Sequence, residues 1–596
     1  MAGCNGVAQC LLKQGNVEVA LTWLEEIHIL YLNAKLGQSK PMFDWIKWIP
    51  DSTEFVRQYV KALAAASDIY LSLGNTGSAV HRRWTANECV SYKHRTSEIQ
   101  KVLNTSKTNE IIQLRHPDPK LCANLEVKEP ELQLLGSWKK IKVKKAEGPG
   151  RRMTFSSFIW KGKLYIAGGR KDSLGPFYRD MFALDLEKLD SWRSMPSYSQ
   201  PMHQSGAFLG WHIIPCREHS RAYLFTGCKT LDFFDLATHT WGSINTTFAR
   251  NDPEDAEAGI KNWIYPKSML TDSTQQIIDE KLYVFGGTHG STNIGCNLFM
   301  VLDLKTREWR RLSGTVIPGP TADPFSPGPR KTPTSWVDGR GERLYLVFGE
   351  CDRMGAQLQG ELHGGECGHP FDDFWSWDLI GGGWRRERIG RNAPCPRSEV
   401  AYAYNPIIGK AIIWGGYNPD LPTDHLAQNQ RFAFSYYADT FICDTPTFLS
   451  NPSTSEGAPK PPTTCKWRQV LTRGFPTYRA QAHPIVDPDS GKTYLFGGFT
   501  NNDYVPSRKS VISRSFGDLW ELRINLEGGN FESVALDDEA RTAQLGPWQR
   551  CFTCGCAGPW KKCGGTCHGH AFFCDADCLK EGWKDHREMH QCRKIA

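Results

Sequence analysis

Eight of the chain's 20 cysteines fall in its last 46 residues: Cys551-x2-Cys554, Cys556, Cys563-x3-Cys567, Cys574-x3-Cys578 and Cys592, with His586-x3-His590 just ahead of the last. Close Cys pairs followed by a His pair have the spacing of a zinc site, because short loops wrap thiolate and imidazole donors tetrahedrally around a closed-shell cation. The donor count suits two structural Zn2+ ions. Clustered cysteines can instead form a disulfide framework, which needs an oxidising compartment. The opening Met1-Ala-Gly-Cys-Asn-Gly has no charged start, apolar run or cleavage signal of a secretory leader. The thiols are therefore expected to stay reduced in an intracellular protein, cytoplasmic or nuclear.

The pattern over 551–592 resembles the MYND zinc finger, in which the first and third ligand pairs share one ion and the second and fourth share the other. The resemblance assigns Cys551, Cys554, Cys574 and Cys578 to one zinc and Cys563, Cys567, His586 and His590 to the other. Phe573 and Trp583 stand where that family keeps aromatic residues. Two departures are visible: the second pair has three intervening residues where two are usual, and the final ligand is usually Cys.

For the eighth ligand, His590 and Cys592 compete. If Lys580 to Gln591 is helical, His586 and His590 lie one turn apart on one face, whereas Cys592 lies about 240° round, which favours His590. Cys592 takes its place if the helix ends early. Cys556, His568 and His570 read as bystanders, with a swap between Cys554 and Cys556, or Cys567 and His568, left open.

These ligands need a scaffold, and the middle of the chain supplies a repeat. Six times an apolar strand runs into a glycine turn, and a later strand ends near Asp-Leu before a Trp. The first copy reads Leu164-Tyr-Ile-Ala-Gly-Gly169, Leu184-Asp-Leu186 and Trp192; the third reads Leu282-Tyr-Val-Phe-Gly-Gly287, Leu302-Asp-Leu304 and Trp309. The other turns fall at Thr226-Gly227, Phe348-Gly349, Gly415-Gly416 and Gly497-Gly498. Strand-only repeats of this length indicate a radial array of sheets, each burying its faces against its neighbours. The glycines permit a backbone turn that a Cβ would block, and the Trp residues are expected to fill the core between sheets. The copies closely resemble the kelch repeat, which implies a six-bladed kelch β-propeller over 134–549. Two strands compete to close the ring, one carrying Trp138 and one carrying Trp548. Trp138 is favoured, because the stretch from Arg523 to Trp548 is a long connection for an adjacent strand. Only two residues then separate Trp548 from Cys551, so the finger follows without a linker.

Residues 1–130 read as an α-helical domain. Apolar residues recur at three-to-four spacing over 17–37 and 54–73, and phrases around Gln14 to Ala20 and Ala66 to Ala79 resemble tetratricopeptide hairpins. The fold class is thus multidomain and mainly β, with a helical domain before the propeller and a zinc finger after it. The net charge of +7 is spread along the chain, giving no specific nucleic-acid signal. The Lys139, Lys140, Lys142, Lys144, Lys145 run reads as a solvated strand side or linker, and no stretch is apolar enough for a membrane.

All three modules resemble recognition modules, so the expectation is a zinc-binding adaptor or scaffold and not an enzyme. The MYND resemblance implies that the finger binds proline-containing peptides along an edge, while the propeller binds a second protein. Losing Cys574 or Cys578 is expected to melt the finger and leave the propeller folded. The alternative is an enzyme, either methyltransferase-like or a metal-dependent propeller. Its metal version would use the fourth-repeat loop residues Glu350, Cys351, His363, Glu366, Cys367 and His369. Long loops at Cys351 to Phe371, Asn418 to Tyr437, Thr445 to Thr464 and Thr500 to Phe516 are expected to crowd one face and carry recognition.

Overall fold

The computed structural model describes most of residues 2–27 and 53–72, positions 79, 82 and 86, and, with short gaps, 133–199, 212–249, 270–289, 296–315, 325–351, 369–389, 393–422, 434–445, 464–500, 505, 507, 514–531 and 549–595. Near the start, helices α1 (Ala2–Lys13) and α2 (Thr53–Ser72) share a core of Ala8, Leu24, Val56, Tyr59, Val60 and Leu63. Residues 28–37 of the first expected helix lie outside the described residues. Buried Arg82 ties this domain to the fourth repeat, reaching Glu25 and Asp372 at 2.7 Å each.

The repeat strands pair into antiparallel four-strand groups in a propeller-like arrangement. In the first group Ser156–Trp160, Lys163–Ala167, Met181–Asp185 and Trp192–Met195 neighbour one another in chain order. The second strand of a group is packed on both faces, as in Lys281–Phe285 and Lys410–Trp414, so it reads in sequence as a continuous apolar run without alternation. The first strands touch in succession, and Ser156–Trp160 meets His483–Val486 to complete the ring.

The last group combines both ends of the repeat region. Its outer strand is Gln133–Ile141, antiparallel to Leu519–Ile524 with Trp138 opposite Leu522. That strand also runs parallel to Thr464–Thr472, fusing the fifth and sixth groups into one sheet. Trp138 therefore sits in the closing strand; Trp548 lies outside the described residues.

The turn glycines occupy the left-handed region, for example Gly286 at φ 69° and Gly287 at 96°, and a Cβ on Gly287 would lie 2.5 Å from the Thr271 carbonyl oxygen. In the fourth repeat Phe348 adopts φ 61° in place of the first glycine. The Trp expectation holds unevenly: Trp309 and Trp467 are fully buried, while Trp192, Trp241 and Trp384 are only partly covered.

A second repeated feature supports four of the six turns. Arg152, Arg330, Arg397 and Arg479 are 0 or 1% exposed, and each pairs with the aspartate just before its group's third strand: Asp180, Asp373, Asp439 and Asp518. The same guanidinium donates to the carbonyl of the first turn residue, Gly168, Phe348, Gly415 or Gly497. Three of them also stack closely on an aromatic ring, Arg479 at 3.7 Å from the Phe516 centroid. A buried guanidinium needs its donors engaged, and each Nε donates in addition to a nearby main-chain carbonyl, that of Pro149, Gly328, Cys395 or Thr477.

Candidate metal centre

The finger is built from short pieces. Gln549–Arg550 pairs with Ala557–Gly558, Lys561–Lys562 pairs with Phe572–Phe573, and helix α3 (Ala576–His590) follows. Asp575 caps α3, its carboxylate accepting from Cys578 N–H at 2.8 Å. On the inward face Cys578, Gly582 and His586 recur every four residues. Gly582 is required there because a Cβ would stand 2.0 Å from Thr553 Oγ1. Phe552 packs against Phe573, His586 and His590, and Trp583 against His586.

Two donor groups result, each with its atoms within 4.8 Å of one another: Cys551, Cys554, Cys574 and Cys578 in one, and Cys563, Cys567, His586 and Cys592 in the other. The sulfurs of Cys554 and Cys574 are 3.7 Å apart, and those of Cys563 and Cys592 are 3.8 Å apart. A tetrahedron with metal–sulfur bonds of about 2.3 Å has edges of about 3.8 Å, so the spacing fits a zinc-sized ion in each group. His586 fits too: burial and His590 hold it below its ordinary pKa, hence neutral, and its buried Nε2 has no partner among the described residues. Its Nδ1 meets Nδ1 of His590 at 2.8 Å.

One assignment is corrected. The fourth member of the second group is Cys592, not His590. The helical face argument fails because α3 stops at His590: Gln591 turns left-handed at φ 49°, carrying the fully buried Cys592 back toward Cys563. His590 instead braces the His586 ring from outside the donor group, the arrangement that fixes tautomer and orientation in metal-bound histidines. Cys592→Ser should therefore cost one bound zinc, while His590→Ala keeps two at reduced affinity. Elemental analysis after dialysis distinguishes the variants; two ions retained in Cys592→Ser would return the role to His590.

Cys556 lies inside the finger, its sulfur 3.3 Å from that of Cys554. It does not join the donor group, and its carbonyl accepts from Cys551 N–H and Trp560 Nε1.

The propeller supplies a cation to the first group. Lys140, on the closing strand, contacts Asp575 at 2.6 Å and the Cys574 sulfur at 3.5 Å. Burial works to lower its pKa, but Asp518 and the thiols of Cys554, Cys574 and Cys578 raise it. The lysine run is thus not wholly solvated, and the missed signal is that alternate side chains of a strand face inward. Phe475 and Ala557 exchange main-chain hydrogen bonds at 3.1 Å, Thr477 donates to the Cys554 carbonyl, and Arg151 and Arg514 hold Glu581. Finger and propeller share one core, in which Phe552 and Phe573 join Trp414, Tyr478 and Trp520.

The fourth-repeat loop set does not form a metal group among the described residues. Buried Glu350 is engaged by Tyr417 at 2.8 Å and Lys331 at 3.2 Å. His363, Glu366 and Cys367 lie outside the described residues, as do most residues of the four long loops.

Among the comparisons with known proteins, one family model bears on the repeats. The Kelch motif matches residues 276–314, the third repeat. With the sheet arrangement, this supports a kelch β-propeller. A curated relative, acyl-CoA-binding domain-containing protein 4 of Arabidopsis thaliana, is 24% identical over 270 residues, 42% of this chain. The chain spans about a third of that relative's length, 33%. A solved structure titled "Structure of YjhT" aligns over 63% of this chain and 95% of its own, at 13% identity and a TM-score of 0.39. Among the described residues, no helix is long and apolar enough to cross a membrane.

Proposed function

We propose that this chain is a non-enzymatic intracellular adaptor: a six-bladed kelch propeller that binds one protein, carrying a MYND-type finger that binds a proline-containing peptide. The observation behind the reading is the closed donor set. Four protein donors per group leave no position for a reactive water, so zinc held there is structural. A finger ordered by zinc and seated on the propeller offers a rigid edge for strand addition.

The test is binding by the whole chain. Immobilised proline-containing peptides should retain the wild type, and a strong chelator should abolish retention while a separately selected propeller partner stays bound. Peptide binding unaffected by complete zinc removal would reject the finger as the binding element. Turnover of methyl-donor or oxidase substrates that is lost on mutating Cys351 or His369 would move the protein into the enzyme class.

A further inference from the structure

The six inner strands enclose an axial cavity of about 290 Å3. Five lining residues, Thr154, Asp272, Thr332, Glu399 and Gln481, stand two positions before an inner strand, all with left-handed φ between 50° and 58°. In four groups this is the second residue after the buried arginine, so the propeller framework fixes these positions around the axis. Four of them are linked in two pairs: Thr332 N–H donates to the Asp272 carbonyl at 2.7 Å, Gln481 N–H to the Glu399 carbonyl at 3.1 Å, and Gln481 Nε2 to Glu399 Oε1 at 2.8 Å.

Any charge the lining carries is negative. Asp272 and Glu399 are its acidic residues, and among the described residues no lysine or arginine lines it. Burial lowers His212 to about 4 and His483 to about 3, leaving both neutral. Lys331, just outside, contacts Glu350.

Acceptors here outrun donors. Gln275 is 6% exposed, yet among the described residues its Oε1 has no hydrogen-bond partner; Glu399 Oε2 and Gln481 Oε1 are likewise buried without one there. Trp336 Nε1 also lacks a partner among the described residues, but its ring is packed into the wall, stacked on Tyr345 and tilted against Phe374. Leaving buried acceptors unmade is costly, and a ligand bringing N–H donors and positive charge satisfies them. We propose that the axial cavity takes one cationic side chain, a guanidinium or ammonium on an alkyl stem, presented by a protein partner. The site belongs to the propeller and stands whether or not the finger binds peptides.

A bound cation also acts on Glu399. Burial, Glu350 and Asp272 push its carboxyl up to about 8, against Gln481 and Lys331, and Arg170 faces it from the first repeat. A cation favours the ionised form, so binding tightens as pH rises through that range and releases a proton.

The probes are acetyl-Arg-amide and acetyl-Lys-amide, with acetyl-Glu-amide as control, read by calorimetry on the full chain in two buffers of different ionisation heat. Expected are saturable binding of a cationic probe, no binding of the control, proton release near neutral pH, and a loss of about tenfold or more in Glu399→Gln and in Gln275→Leu. Thermal melts like wild type establish that the variants are folded. Three results each overturn the site: no heat from either cationic probe at about 5 mM, equal binding of the control, or unchanged affinity in both folded variants.

Discussion

Stripping zinc should unfold the finger and lower the melting temperature of the propeller with it. Structural zinc in small fingers contributes apparent binding energies of about 10 to 16 kcal/mol, and zinc in these donor groups would hold Phe552, Phe573 and the thiols against Trp414, Tyr478 and Trp520 with that energy. The sequence-based expectation was a finger that melts alone. The shared core and the Lys140–Asp575 contact argue otherwise, because chelation leaves Lys140 half-buried without its thiolate neighbours. The propeller remains folded but weaker. Calorimetry of wild type, chelated protein and Cys574→Ser checks this: the main transition should shift down in both treated samples, and an unchanged transition would mean that the finger contributes nothing to the ring.

Trp138→Ala should destabilise the propeller by about 3 to 5 kcal/mol, the usual range for deleting a large buried aromatic. The side chain is 8% exposed, lies edge-on to Trp414 at 6.0 Å and donates to Thr440 Oγ1 at 3.3 Å. It thus connects the closing strand to two strands of the fifth group. Urea unfolding followed by fluorescence measures the loss. A change below about 1 kcal/mol would mean that closure rests on the backbone pairing alone.

The legible part of the molecule was the part written in periodic residues. Strand runs ending in glycine carry the packing of each sheet, so Leu282 to Gly287 announces itself, and the thiol pairs announce the donor groups. The buried arginines were missed although their signal was present: Arg330, Arg397 and Arg479 each stand 18 positions before the turn carbonyl they bind. One charged residue per repeat looks like surface until its aspartate is located. Cys592 was misjudged because a left-handed Gln591 is a local choice made by tertiary packing, whereas the face argument assumed one more helical turn. Lys140 was hidden because nothing in a lysine run marks which member meets a thiolate.

The closing strand has a consequence for how the chain is made. Gln133–Ile141 finds its antiparallel partner only when Leu519–Ile524 exists, nearly four hundred residues later. At synthesis rates of about 5 to 20 residues per second, that strand waits roughly 20 to 75 seconds for this partner, and its other edge meets Thr464–Thr472 only shortly before. An unpaired edge is a template for the wrong partner. Lysines at 139, 140 and 142 give this edge the charge that discourages such pairing, and one of them later serves the thiol cluster at the far end of the chain. The same ammonium that protects the nascent strand becomes the counter-charge of the finished donor group.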